Sequence, residues 1–566
     1  MHNQVYTIAK VCSEFGCTHA IICPGSRSAP LLYAFKQETN ITCISVIDER
    51  SAGFIALGIA QQTGKPVVLI CTSGTALLNF FPAIAEAKYQ QVPLIVLSAD
   101  RPPEMLNQQD GQMIMQKGVY GKHVNSSHEL MCEEDGSSDL LLTQRIVQTA
   151  LVETMEPGNN GPVHVNVPLR EPLYPQALSI KTPALAVFDN ISNTALPFSL
   201  KDLDQFAQAF KQAKKIILVL GQHNTDIELE TILARFSKLE QVVLLADVVS
   251  NQHLQSVVPN FDAVVQYASP ELLHTIEPDM VISSGGPLVS KALKIWLKSI
   301  KPQWHFRISE ELKPINTYGN LTHFIRSSLP VLLTRFLETA HSIEPITESY
   351  SKQWEQLGEK ALSLQQALFS QQKWSEPFAV SSVLKAIPTG SILHIGNSGS
   401  IRFASWLGLN GFNGKVFGNR GTSGIEGSVS TAIGAAIANP SAIHFLICGD
   451  LSFLYDTNAW WLSKLPQNLK IVVLNNVGGK IFEWIEGPSR FPEHLNFFTT
   501  PHHRNIAQTL ATFGIQCTTC KSLDAYNLAL SSFIQSKQTH VLELVFDTEI
   551  NLSAIQQFKS IQLTNS

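Results

Sequence analysis

The sequence predicts an α/β protein of three doubly wound parallel-sheet domains in series, and two patterns predict it. Short, nearly continuous apolar runs alternate with segments of helical length, as parallel strands do when helices cover both sheet faces. That alternation recurs three times along 566 residues, a length too great for one hydrophobic core.

In the first unit, residues 19–23, 43–47, 67–71 and 94–98 read as strands, with helices at 29–35, 51–62 and 76–90. A strand at 163–167 and a Pro-punctuated stretch, 168–183, close it. The second unit begins near Ser199, with strands at 216–220, 242–246, 280–283 and 305–308. A polar linker at 338–353 leads into a helix, and the third unit repeats the plan of the first. Its strands are expected at 392–395, 416–418, 444–448, 470–474 and 540–546, and its Ala- and Gly-rich helix at 429–438 suits close packing on a sheet. The domains are therefore placed at 1–185, 186–345 and 346–566.

Net charge is −5 with the basic residues dispersed, which gives no electrostatic basis for a nucleic acid or anionic membrane partner. Met1-His2-Asn3-Gln4-Val5 has neither the basic segment nor the apolar core of a secretory leader. Apolar runs are strand-length, far below the ~20 residues of a membrane span. Nine cysteines scattered along a large chain fit free thiols in a reducing cytoplasm, the expected location. Cys517-Thr518-Thr519-Cys520 is the only CxxC, and without a second pair or a nearby His it reads as inert thiols, not structural zinc.

Ligands of open parallel sheets gather at the carboxyl ends of strands, so the loops after those ends carry the candidates. Residues 442–450 form a strand running into Gly449-Asp450, followed by a helix expected at 458–465. The next strand ends in Asn475-Asn476. An Asp and an Asn at neighbouring strand ends are hard oxygen ligands suited to Mg²⁺ or Mn²⁺, and Gly478 is placed to offer a backbone carbonyl. A helix N-cap and a turn-forming Asn pair are the structural alternative. Separately, Asp48-Glu49-Arg50 puts a Glu at a strand end and a helix start, where the helix dipole also favours a carboxylate. The run 421–427 is GxxGxxG, not GxGxxG, and no acid is placed for a ribose, which argues against nicotinamide or flavin. His502-His503 matches no ligand spacing and reads as a polar loop.

The span from Gly449-Asp450 to Asn475-Asn476 resembles the signature of thiamine diphosphate enzymes, with Leu451 where that signature usually has Gly. The resemblance implies thiamine diphosphate held through a divalent ion at Asp450, Asn476 and Gly478, beside Gly449. It makes Glu49 the carboxyl that meets N1′ of the aminopyrimidine. It also implies a homodimer or homotetramer, because in that family Glu and diphosphate site come from different subunits.

Further segments narrow the resemblance: Cys23-Pro24-Gly25-Ser26-Arg27-Ser28, Thr72-Ser73-Gly74-Thr75, Ser98-Ala99-Asp100-Arg101-Pro102-Pro103-Glu104, Gly396-Asn397-Ser398 with Arg402, and Asn419-Arg420-Gly421-Thr422. Together they are similar to the carboligase branch that serves menaquinone biosynthesis. That branch decarboxylates 2-oxoglutarate and adds the resulting succinyl unit to isochorismate by conjugate addition. Both substrates carry two carboxylates, which suits forked contacts from Arg27, Arg402 and Arg420. By resemblance, Ser26 and Arg27 bind substrate carboxylate, Gln112 hydrogen-bonds substrate, and Ser398, Arg402 and Arg420 contact substrate near the thiazolium. Ile425 matches the apolar prop of the cofactor. Ile481 and Phe482 match an apolar pair beside the reacting centre, or by pattern alone a core pair at a helix start. Ser290-Lys291-Ala292 lies where some relatives carry a Lys-Arg pair contacting isochorismate; Lys291 is retained, and Ala292 leaves one carboxylate contact to another residue. A carboligase or decarboxylase using a second 2-oxo acid is the alternative within the family.

Overall fold

The computed structural model describes residues 3–133, 139–174, 198–339, 349–371 and 373–564. They form three sheets, every strand pair of which is parallel. The first comprises β1 (His19–Ile22), β2 (Thr42–Ser45), β3 (Val67–Cys71), β4 (Leu94–Asp100), β5 (Ser127–Glu129) and β6 (Pro162–Pro168), in the order β2-β1-β3-β4-β6-β5. The second comprises β7 (Ile216–Leu220), β8 (Val242–Ala246), β9 (Met280–Ser284), β10 (Trp304–Ser309) and β11 (His323–Arg326), in the order β11-β10-β9-β7-β8. The third comprises β12 (Ile392–Ile395), β13 (Val416–Phe417), β14 (His444–Gly449), β15 (Leu469–Asn475), β16 (Gln516–Cys520) and β17 (His540–Val545), in the order β13-β12-β14-β15-β17-β16. Central strands such as β3, β4, β7 and β15 are buried along their whole length, as helices on both faces require. The expected fold class is the observed one. The expected boundaries at 185 and 345 lie outside the described residues.

Departures from expectation have local causes. The helix expected at 76–90 is two, Ala76–Asn79 and Phe81–Gln90, because Pro82 has no N–H to continue the first. The helix expected at 458–465 is absent. A helix starts at once at Asp450 and ends at Tyr455, and Thr457–Trp460 is a single 3₁₀ turn. Three edge strands, β5, β11 and β16, escaped the apolar pattern because a strand paired on one side tolerates polar residues. β16 carries Cys517 and Cys520, both free thiols, as are the other seven cysteines.

The three units are welded together. Helix Glu49–Thr63 of the first crosses helix Ser428–Ala438 of the third backbone to backbone. A Cβ on Gly58 would lie 2.0 Å from the Thr431 carbonyl oxygen, and one on Gly434 would lie 2.0 Å from that of Ile55. One apolar core runs through both units. The Asn251 amide of the second unit brackets Val416, donating to its carbonyl (3.1 Å) and accepting from its N–H (2.6 Å). Helix Tyr350–Phe369 packs back on the second unit, where the Tyr350 hydroxyl donates to the Ile276 carbonyl at 2.6 Å.

Candidate active site

Sheet register brings the strongest sequence candidates together. Gly449 on β14 pairs with Leu474 on β15, so Asp450 and Asn476 leave the carboxyl edge side by side. Asp450 opens its helix and is buried. Its Oδ1 accepts from the Leu451 N–H (2.7 Å), and its Oδ2 from the Gly478 N–H (2.9 Å). His502 also reaches Oδ2, Nε2 to oxygen 3.1 Å, so it is no mere polar-loop residue as its spacing suggested. Asn476 donates from Nδ2 to Glu376 Oε1 at 3.0 Å, while its own Oδ1 is buried with no partner. The Gly478 carbonyl accepts from the Lys480 N–H at 2.9 Å, which leaves its second lone pair.

Glu376 starts helix Glu376–Ala386 and escaped the sequence reading, since nothing near Ser375-Glu376-Pro377 marks it beyond a helix start. Burial pushes its carboxyl up to about 7, while donors from Asn551 and Asn476 pull it down. With both oxygens accepting from amides, the ionised form is the one the geometry suits.

Glu49 opens helix Glu49–Thr63 at the carboxyl edge of the first sheet, capped by the Asp48 side chain on the Ser51 N–H. Burial raises its carboxyl above the ordinary Glu range; its backbone hydrogen bond opposes this, and Asp48 adds to it. The residues beside it reach into the third unit: Asp48 accepts from Asn458 Nδ2 at 2.5 Å, and Arg50 donates to the Tyr455 carbonyl at 2.8 Å. Among the described residues, no hydrogen bond or ion pair joins Glu49 to Asp450, Asn476 or Gly478.

On the same edge, Ser26 is exposed and Arg27 is 5% exposed. Arg27 donates to the Leu169 carbonyl (2.9 Å) and to Glu171 (3.3 Å), so part of its fork is already engaged. Gln112, at φ +56°, lies with its backbone against Gly74.

The remaining cations gather between the second and third units. Ser398 caps helix Gly399–Leu407 at φ +75°, a backbone conformation rare for a side-chain-bearing residue and common where function demands strain. Arg402, in that helix, makes no hydrogen bond or ion pair among the described residues. Arg420 donates to Asn397 Oδ1 at 2.7 Å, and its Nε is buried without a partner. Burial lowers both guanidinium pKa values, and Arg402 further lowers that of Arg420. Lys291 is exposed at the start of helix Lys291–Ser299. Lys294, one turn on, is half-buried and within electrostatic reach of Arg420 and Arg402, a neighbour the Ala292 departure left unidentified. Asp262 ties these helices together, accepting from Ser290 (2.5 Å) and Ser405.

The Ile425 carbonyl accepts from Ser452 at 2.5 Å, which fixes the loop before helix Ser428–Ala438 against Asp450's helix. Ile481 packs against the apolar core, and Phe482 lies 5.6 Å from the Phe498 ring, so both readings of that pair remain physically sound. Glu86, a buried carboxylate of the first unit, accepts from the Gly421 and Thr422 N–H groups at 2.7 and 2.6 Å and holds the loop bearing Arg420. No motif marked it. Among the described residues, no cluster of three or more His, Cys, Asp or Glu is placed to hold a metal, so a cation at Asp450 would rest on amide and carbonyl oxygens as well. None of the described helices is long and apolar enough to cross a membrane.

Two family models match the units that carry these residues: the N-terminal thiamine pyrophosphate-binding domain of thiamine pyrophosphate enzymes over residues 4–119, and their C-terminal binding domain over 397–544. The chain is thus a thiamine pyrophosphate-dependent enzyme, with one cofactor-binding domain at each end. Curated relatives narrow the class. The chain is 38% identical to 2-succinyl-5-enolpyruvyl-6-hydroxy-3-cyclohexene-1-carboxylate synthase of Cytophaga hutchinsonii, over 98% of each chain. It is 36% identical to the Flavobacterium psychrophilum synthase over 98% of each, and 38% to that of Desulfotalea psychrophila over 92% of this chain and 93% of the relative. The chain belongs to this synthase family.

Proposed function

We propose that this chain decarboxylates 2-oxoglutarate and adds the remaining succinyl unit to isochorismate. The products are 2-succinyl-5-enolpyruvyl-6-hydroxy-3-cyclohexene-1-carboxylate and CO₂, within menaquinone biosynthesis in the cytoplasm. The relatives' names support the product. The observation that carries the substrate reading is the buried, unpartnered Nε of Arg420, beside an Arg402 that makes no hydrogen bond or ion pair among the described residues. Unpaired buried donors are costly, and dicarboxylate substrates would satisfy them.

A divalent ion, Mg²⁺ or Mn²⁺, fits the third unit. Asn476 Oδ1 is buried and unpartnered, and Asp450 and the Gly478 carbonyl keep lone pairs for it. Thiamine diphosphate, when bound, supplies the carbon that attacks the 2-oxo group and the sink for the electrons CO₂ leaves behind. Asp450, Asn476 and Gly478 hold the ion, and Gly449 lets the diphosphate approach the backbone. Glu49 exchanges a proton with N1′ of the aminopyrimidine, a task its burial-raised pKa suits. Ile425 props the cofactor, and Ile481 and Phe482 keep water from the reacting centre. Arg402, Arg420, Lys291 and Ser398 orient substrate carboxylates, and Ser26, Arg27 and Gln112 complete the pocket from the first unit. Residues 1–185 form the pyrimidine-binding domain, 186–345 the central domain, and 346–566 the diphosphate and metal domain. The family resemblance, in which this Glu and the diphosphate site come from different subunits, supports a homodimer or homotetramer with the site at the subunit interface.

Product analysis with 2-oxoglutarate and isochorismate tests the proposal. The wild type is expected to form the succinyl adduct and Glu49→Gln to lose at least two orders of magnitude in rate, as loss of a general acid–base group does. Full carboligation by Glu49→Gln would remove Glu49 from its role. A wild type that joined only two 2-oxo acids would move the chain to the alternative reaction.

A further inference from the structure

The geometry assigns Glu376 as the positioning residue that fixes which end of the Asn476 amide faces the divalent ion. This rests on the reading that Asp450 and Asn476 hold that ion. An Asn amide has an oxygen end and a nitrogen end of nearly equal size, and only the oxygen can ligate a metal. What decides the orientation is a short relay ending in a backbone N–H.

The relay begins at the Glu376 N–H, which donates to Asn551 Oδ1 at 2.9 Å. A backbone N–H cannot accept, so it pins Asn551 with its Nδ2 turned the other way, and that Nδ2 donates to Glu376 Oε2 at 2.7 Å. The carboxylate's second oxygen, Oε1, accepts from Asn476 Nδ2 at 3.0 Å. Both side chains facing the carboxylate are amides donating to it, so their nitrogens point inward. Asn476 Oδ1 is then the end left without a partner. Glu376 and Asn551 are each 3% exposed, so water does not compete for either orientation. Partners behind a metal ligand commonly set its affinity by 10–100-fold.

Glu376→Gln separates this role from packing. The shape is kept, but one acceptor becomes a donor. Because the residue 376 N–H still pins Asn551, the new amide must turn its oxygen to Asn551 and its NH₂ to Asn476. Asn476 then flips and offers Nδ2, not Oδ1, to the ion. Adding Asn551→Asp reverses this: the new carboxylate accepts both the residue 376 N–H and the new amide's NH₂, and the new amide's oxygen returns to Asn476. The pair of substitutions also restores the carboxylate count.

The test is calorimetric titration of Mg²⁺ into the full-length protein saturated with thiamine diphosphate, with circular dichroism confirming fold. Glu376→Gln is expected to weaken Mg²⁺ by about 10–100-fold. The double variant E376Q/N551D is expected to return to within about threefold of wild type. Unchanged affinity in folded Glu376→Gln overturns the inference. So does a double variant as weak as the single one, since the loss would then reflect charge or packing. If the single variant does not fold, the double variant decides alone: near-wild-type affinity supports the relay and a loss overturns it. A wild type that binds no Mg²⁺ overturns the underlying metal reading instead.

Discussion

Replacing Glu86 with Gln is expected to release the loop that carries Arg420 without disturbing the sheets. The Glu86 carboxylate is 1% exposed and belongs to the first unit, yet most of its donors come from the third. Oε1 accepts from the Gly421 N–H (2.7 Å) and from Gln90; Oε2 accepts from the Thr422 N–H and hydroxyl, both at 2.6 Å. An amide keeps one acceptor. If it stays with Thr422, its NH₂ confronts the Gly421 N–H, which can find no other partner there. An unsatisfied buried donor costs about 1–3 kcal/mol, and the two surviving bonds lose their charge assistance, about 0.5–1 kcal/mol together. The sum, about 1.5–4 kcal/mol, corresponds to about a 10- to 700-fold fall in amide protection at tenfold per 1.4 kcal/mol. Hydrogen exchange at Gly421 and Thr422 reads this directly, because it reports local opening even where three welded domains do not unfold as one. Protection unchanged at both amides, or lost equally across β14 and β15, would refute the reasoning. The first result denies the latch, and the second denies that its effect is local.

The helix crossing gives a prediction of unusual sign. Gly→Ala inside a helix ordinarily stabilises by about 1 kcal/mol, but Gly434→Ala would put Cβ 2.0 Å from the Ile55 carbonyl. A net loss of about 1–3 kcal/mol is expected in thermal unfolding, and a raised Tm would show that the helices separate freely. Stability should also fall in acid. Burial lowers His164, His305 and His444 from 6.5 to about 4, so the unfolded chain binds more protons between those values. Their contribution is complete above about pH 6.5 and is lost as pH falls to about 4. His394, lowered well below 6.5, adds to this, while Asp247 and Asp456, raised by burial to about 6, and Glu376, raised to about 7, oppose it. Urea midpoints at pH 7.5 and 5 measure the balance, and a midpoint at pH 5 equal to or above that at pH 7.5 would contradict it.

The sheets were legible because parallel strands buried on both faces must be apolar throughout, and β3, β7 and β15 carry that signal in five to seven residues each. Edge strands lack the constraint, so β5, β11 and β16 passed as loops. Asp450 and Asn476 were legible for a related reason, since a strand end next to a strand end is fixed by register, and register follows from sheet order. Glu376, His502 and Glu86 were not. Glu376 lies 100 residues from Asn476, and Glu86 lies 335 from Gly421. Each is a single polar side chain whose meaning comes from what folding brings opposite it, and no spacing encodes that.

The same distinction explains how the site is divided. Asp450 and Asn476, the pair most readable from sequence, follow strand ends and can serve in any protein with these sheets. Residues that make them specific come from distant parts of the fold: Glu376 turns an amide within the third unit, and the residues that clamp its loops and helices come from other units. Glu86 reaches from the first unit to the Arg420 loop, and Asp262 from the second to the helix of Arg402. Substrate geometry therefore depends on how the three units are docked as much as on any one of them. The backbone crossing at Gly58 and Gly434, which leaves no room for a methyl group, is what keeps the first and third from sliding. A methyl there should disturb Arg420 through Glu86 although it touches neither.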